Sequence, residues 1–167
     1  VDSIAHLTCV SSTKEEVRQR IREMKEAGIQ NILALRGDIP QDSAFPIPNQ
    51  YKYAYELIED IKAQGDFCIG AACYPEGHCD AASIDADIEN LKKKVDAGAT
   101  HLVTQLFFDN DNFYRFMDKV EQAGIRVPIE AGIMPVTNKS QIERITSLCG
   151  AKVPEKFIKI MNKYEYD

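Results

Sequence analysis

Residues 67 to 107, FCIGAACYPEGHCDAASIDADIENLKKKVDAGATHLVTQLF, hold one complete unit of the pattern that decides the fold. An apolar run (67 to 73) passes into a polar loop. An amphipathic stretch follows, with Ile84, Ile88, Leu91 and Val95 at spacings of three and four, and then come Gly98 and a second apolar run (101 to 107). Spacings of three and four put one apolar stripe on a helix, and the short apolar runs on either side suit strands.

Outward from this unit the same order recurs in both directions, five times in all. The other helical faces are Val17, Ile21 and Met24; Ala54, Leu57, Ile58 and Ile61; Phe113, Phe116, Met117 and Val120; and Ile142, Ile145 and Leu148. Gly28, Gly65, Gly98, Gly124 and Gly150 each follow a helical pattern, where a left-handed residue closes the last turn. Ser12 with Glu15, and Ser140 with Glu143, have the spacing of capping boxes. The remaining strand segments are 4 to 10, 31 to 37 and 127 to 133, mostly apolar on both faces as a buried parallel sheet requires.

Strands alternating with helices imply right-handed crossovers, hence a doubly wound sheet or a β/α barrel. Polar residues inside the strands (His6, Thr8, Thr104, Gln105, Glu130) suit a barrel interior opening toward an active-site mouth. No G-x-G-x-x-G follows any strand, so the dinucleotide fingerprint of the doubly wound fold is absent. The expectation is α/β, part of a (β/α)8 TIM barrel with about five βα units and a last helix after Pro154. Without an initiator Met, and opening on an apolar run, the chain reads as a piece of a longer protein, one not expected to form a barrel alone.

At 167 residues and 44% hydrophobic, residues 1 to 167 suit a single domain and not two independent cores. A formal charge of −6 argues against a nucleic-acid partner, which would demand a basic surface. The apolar runs fall far short of the roughly 20 residues of a membrane span. Five cysteines (Cys9, Cys68, Cys73, Cys79, Cys149), an odd set without a signal peptide, read as reduced thiols of a cytoplasmic protein.

In a barrel, chemistry collects at strand ends and the loops after them. That selects His6, Thr8 and Cys9; Arg36, Gly37 and Asp38; Tyr74, Glu76 and His78; Gln105 and Asp109; and Met134 and Pro135. The loop from Ile39 to Gln50, with Pro40, Pro46 and Pro48, reads either as a lid or as a surface excursion. Cys73, His78 and Cys79 invite a metal reading with His6 as a fourth ligand. Their spacing is poor and no second pair supports them, so no metal is expected. Arg36-Gly37-Asp38 sets a cation and a carboxylate on a permissive glycine at the mouth; alternatively, Arg36 and Asp38 form an ion pair that closes the loop.

The motifs H-L-T-C (6 to 9), A-L-R-G-D-I-P (34 to 40), Y-P-E-G-H (74 to 78), L-K-K-K-V-D-A-G-A (91 to 99), T-Q-L-F-F-D (104 to 109) and G-I-M-P-V-T-N (132 to 138) run in order along nearly the whole chain. In these the sequence resembles the bacterial type of methylenetetrahydrofolate reductase. The resemblance implies strands three to seven of the barrel, FAD held without a Rossmann fold, and a ping-pong exchange between NADH or NADPH and the folate. It carries FAD contacts onto His6, Arg36, Gly37, Asp38, Ala54, Tyr74, His78, Asp87, Asn90, Lys93 and Lys94. Without it, Lys93 and Lys94 would read as a solvated basic helix face. Folate contacts fall on Asp38, Gln105 and Gln141, and the catalytic roles on Asp38 and Gln105.

The same resemblance implies one-carbon metabolism leading to methionine biosynthesis, with small-molecule folate and nicotinamide partners; a homo-oligomer is expected. The family's general-acid glutamate and its folate-binding arginine would lie on strands outside this chain, and Ile145 stands where some members have an aromatic. Two rival readings remain open: a metal-dependent lyase or hydrolase using His6, Cys73 and His78, and a non-catalytic flavin-binding fragment.

Overall fold

The computed structural model describes residues 3–39, 46–135 and 139–163. In chain order the elements are β1 (Ile4–Thr8), α1 (Lys14–Glu26), β2 (Asn31–Leu35), α2 (Ala54–Gln64), β3 (Cys68–Cys73), α3 (Ile84–Ala97), β4 (His101–Thr104), α4 (Asn110–Gln122), β5 (Ile129–Glu130), α5 (Lys139–Cys149) and α6 (Glu155–Lys163). The strands form one parallel sheet in the order β1-β2-β3-β4-β5. Consecutive strands thus neighbour one another, each pair joined by a helical crossover, as the five repeated units imply.

Register follows the apolar pattern. Leu7 pairs with Ala34 and Ile32 with Ile69, and all four are buried, whereas His6 beside Leu33 is exposed. Alternation along a strand sends these residues to opposite faces, so the buried row is the one beneath the helices. Val17 and Ile21 of α1 and Leu57, Ile58 and Ile61 of α2 are all fully buried. At about 1.5–3 kcal/mol for each such side chain, burial outweighs helix propensity in holding these elements.

The described residues gather into two compact units. One comprises Val1–Ala72, Leu91–Leu102 and Val127–Ile129; the other comprises Cys73–Asn90, Val103–Arg126 and Glu130–Asp167. The first contains the core just described. In the second, Ile88, Phe116, Val120, Ile125 and Ile142 are buried.

Several element ends differ from expectation. Every strand is shorter than its apolar run, because the chain leaves the ladder where the loops begin. The cap of α1 is Thr13: its hydroxyl accepts the Glu16 N–H at 3.3 Å and the Glu16 carboxylate accepts the Thr13 N–H at 2.7 Å. Ser12–Glu15 and Thr13–Glu16 share one spacing, and the left-handed Ser11 (φ 61) precedes the cap that is used. Ser140 is the second residue of α5, inside the helix where the sequence pattern set it as the cap. Gly65 has φ 179 and is extended, not left-handed; a Cβ there would lie 2.9 Å from the Phe67 ring. Gly28, Gly98, Gly124 and Gly150 do have positive φ.

Candidate functional site

In the first unit the ends of β1 and β2 are tied together past the ladder. The Arg36 carbonyl accepts the N–H groups of Cys9 and Val10, both at 3.1 Å. That closeness explains Gly37: with φ 85, its missing Cβ would lie 2.5 Å from Val10 Cγ2 and 3.1 Å from Thr8 Cβ. The glycine therefore serves an approach to the neighbouring segment of the chain, and it delivers Arg36, half-buried, and Asp38, exposed, at the end of β2.

Cys9 lies beneath this junction. Burial, helped by Glu56 and opposed by Arg36, pushes its thiol up to about 12, so it stays a neutral core group. His6 sits in the middle of β1, two residues before its end. Ala54, the first residue of α2, is buried, and the turn before it is held by Glu56, whose carboxylate accepts the N–H groups of Lys52 (2.7 Å) and Tyr53 (3.1 Å).

The three lysines of α3 divide their roles. Lys92 pairs with Asp96 at 3.1 Å along the helix surface, as a solvated basic face does. Lys94 instead donates to the Ala72 carbonyl at 2.8 Å, which fixes a cation at the C-terminal end of β3. Lys93 is exposed beside it.

In the second unit Y-P-E-G-H folds as a tight turn: the Gly77 N–H donates to the Tyr74 carbonyl at 3.0 Å, and Gly77 has φ 84. The turn stacks Tyr74 edge-on against His78, with ring centroids 4.6 Å apart and planes at 85°. Asp87, in the first turn of α3, accepts the His78 N–H at 3.1 Å. His78 Nδ1 accepts the Asp80 N–H at 3.0 Å, which places the proton of the neutral ring on Nε2. Asn90 lies three residues beyond Asp87, on the same side of the helix.

Gln105 is the first residue after β4. Its backbone N–H donates to the Cys73 carbonyl at 2.7 Å, and its side-chain Oε1 accepts the Leu106 N–H at 2.8 Å, so one bond fixes the main chain and the other orients the amide. Gln141 is exposed on the first turn of α5. Asp109, read as a strand-end group, caps α4 by accepting the Asp111 N–H at 2.9 Å. Met134 is half-buried and Pro135 exposed; residues 136–138 of the last motif lie outside the described residues. So do residues 40–45 of the long loop, whose far end is a turn from Ile47 to Gln50 with the Asn49 carbonyl bonded to the Lys14 N–H.

Sequence reasoning missed the part played by Glu76. Its two oxygens accept Asn112 Nδ2 at 2.7 Å and the Lys152 N–H at 2.8 Å, partners 36 and 76 residues away that no local signal announces.

Among the described residues, the one group of His, Cys, Asp and Glu with ligand atoms close enough for a metal is His78, Cys79 and Asp80, within 4.8 Å of one another. It contains neither Cys73 nor His6, and Cys79 and Asp80 are exposed. None of the five cysteines is in a disulfide. No helix among the described residues is long and apolar enough to cross a membrane.

Comparison with known proteins gives this arrangement a lineage. Over residues 1–167 the chain matches the family model described as methylenetetrahydrofolate reductase. It is 41% identical over 154 residues to the 5,10-methylenetetrahydrofolate reductase of Pectobacterium carotovorum, covering 92% of this chain and 50% of that protein. The enzyme of the same name from Escherichia coli K12 is 42% identical, with 92% and 51% covered. Methylenetetrahydrofolate reductase 1 of Schizosaccharomyces pombe is 41% identical over 161 residues, with 95% and 27% covered. The chain thus spans about half the length of the bacterial relatives it matches. Among solved structures it is similar to a dihydrodipicolinate synthase, with TM-score 0.55, 14% identity, and 92% of this chain and 56% of that one covered. That likeness shows the fold alone, part of a β/α barrel. With the family model matched from the first residue to the last, the chain belongs to the methylenetetrahydrofolate reductase family.

Proposed function

We propose that the protein to which this chain belongs reduces 5,10-methylenetetrahydrofolate to 5-methyltetrahydrofolate, with NADH or NADPH as reductant and FAD as resident cofactor. The observation that carries this reading is the match of the whole chain to one reductase family, with motifs such as 34–40, 74–78 and 104–109 falling at the ends of β2, β3 and β4. In this reading residues 1–167 form strands three to seven of a single barrel domain, and the protein is a cytoplasmic homo-oligomer.

The donor set is chemically suited to FAD. Lys94, fixed at the end of β3, and Lys93 beside it would meet phosphates; Arg36 adds a third cation. Tyr74 and His78 present an ordered aromatic pair, with His78 Nδ1 accepting the Asp80 N–H. His6, Gly37, Asp38, Ala54, Asp87 and Asn90 complete the set, and Asp87 supports it a second way by holding the His78 backbone.

When bound, FAD supplies hydride exchange between the nicotinamide and the folate. The chain's own residues supply electrostatics and orientation. Ring opening of the folate substrate produces a cationic centre, and the exposed carboxylate of Asp38 would stabilise that charge. Gln105 holds an amide whose oxygen keeps a second lone pair and whose NH2 keeps its donors, so it can meet folate and nicotinamide in turn. Gln141 would contact the folate from α5.

The test is the absorption spectrum of the full-length parent protein before and after anaerobic NADH or NADPH. A flavin spectrum that bleaches with the nicotinamide and recovers with 5,10-methylenetetrahydrofolate is expected. A colourless protein carrying stoichiometric metal would overturn the reading.

A further inference from the structure

We infer that Glu76 is a positioning residue that holds the Tyr74–His78 turn in the shape that receives the flavin. The inference rests on the function proposed above. Glu76 is the middle residue of Y-P-E-G-H, and its side chain runs away from the turn to two other parts of the same compact unit. Oε1 accepts from Asn112 Nδ2 at 2.7 Å, and Oε2 accepts the backbone N–H of Lys152 at 2.8 Å.

The first anchor is itself fixed. Asn112 lies in the first turn of α4, which Asp109 caps, and its Oδ1 accepts Arg115 Nη2 at 2.6 Å. Lys152 stands between α5 and α6. Asp87 holds the far end of the turn through the His78 N–H. The turn is therefore tied at its middle to α4 and to the segment before α6, and at its end to α3.

Hydrogen bonds have to do this work because an open cleft, lined by Arg115, Phe116 and Lys119, brings solvent beside Glu76. An ionised carboxylate is the side chain suited to two donors at once, one per oxygen. Glutamine would turn an NH2 toward one of the two N–H donors and lose that tie. Alanine would lose both while leaving the Tyr74 and His78 side chains unchanged.

The experiment uses the full-length parent protein, stripped of flavin and titrated with FAD, in wild type, Glu76→Ala, Glu76→Gln, Asn112→Ala and the Glu76/Asn112 double variant. Glu76→Ala is expected to weaken FAD affinity about 10-fold or more, as expected when positioned groups shift by about an ångström. It should also change the visible absorption envelope of the bound flavin. Glu76→Gln should fall between alanine and wild type, and the double variant should be no worse than Glu76→Ala, because the two residues act through one contact. Wild-type affinity and spectrum in a folded Glu76→Ala protein would overturn the inference. Should that variant fail to fold, unchanged affinity in Asn112→Ala would overturn it equally. A wild-type parent that binds no FAD would instead overturn the proposed function, and this inference with it.

Discussion

At the scale of single residues, the segment Arg36-Gly37-Asp38 shows why identity and placement must be read together. Gly37 is required by its left-handed backbone and by Val10, 2.5 Å from where a Cβ would stand. Gly37→Ala is expected to destabilise the parent protein by about 1–3 kcal/mol, from positive-φ strain and overpacking against Val10. An unchanged denaturant midpoint would contradict that account. Asp38 is exposed, so its removal should leave folding alone and act on chemistry. Asp38→Asn should keep FAD bound yet lower the rate of folate reduction about 10²-fold or more, a typical loss for one electrostatic group. Rapid-reaction measurement of flavin reoxidation by the folate checks this, and unchanged turnover would remove Asp38 from the mechanism.

At the scale of elements, α1 and α2 are clamped by Arg18, Tyr51 and Asp60. Arg18 Nε donates to Asp60 Oδ2 at 2.7 Å, and the hydroxyl of the buried Tyr51 donates to the same oxygen. Burial alone would raise the Asp60 carboxyl, but the hydrogen bonds from Tyr51 and Arg18 outweigh it and hold the carboxyl below its ordinary range. Burial first, and then the bond to Asp60, pushes the Tyr51 phenol well above its usual range. Because the folded value of Asp60 is depressed, its contribution is fully present above the unfolded value near 4 and is lost as pH falls through the folded value. Asp60→Asn should therefore cost about 1–2 kcal/mol at pH 7, the figure being reduced because Arg18 is partly exposed. The gap between wild type and variant should close toward pH 3, as read from urea titrations at the two pH values. A gap independent of pH would show that the carboxylate's charge has no part in the clamp.

At the scale of the whole molecule, much was legible in the sequence because it depends on period and order alone. Apolar residues three and four apart can be buried on one side only by a helix, and short runs apolar on both faces only by a parallel sheet. Hence the helices, the parallel strands, their consecutive order and the helix after Pro154 all follow from the residues. The motifs likewise carried the family, since they run in order along nearly the whole chain. Only the tertiary structure decided which of two equally spaced caps begins α1, that Gly65 is extended, and that Lys92 follows the helix surface while Lys94 turns onto the end of β3. It alone joined Glu76 to Asn112 and Lys152. The physical reason is range: periodicity and capping are settled within a few residues along the chain, whereas a hydrogen bond spanning 36 or 76 residues exists only once packing has brought its two ends together.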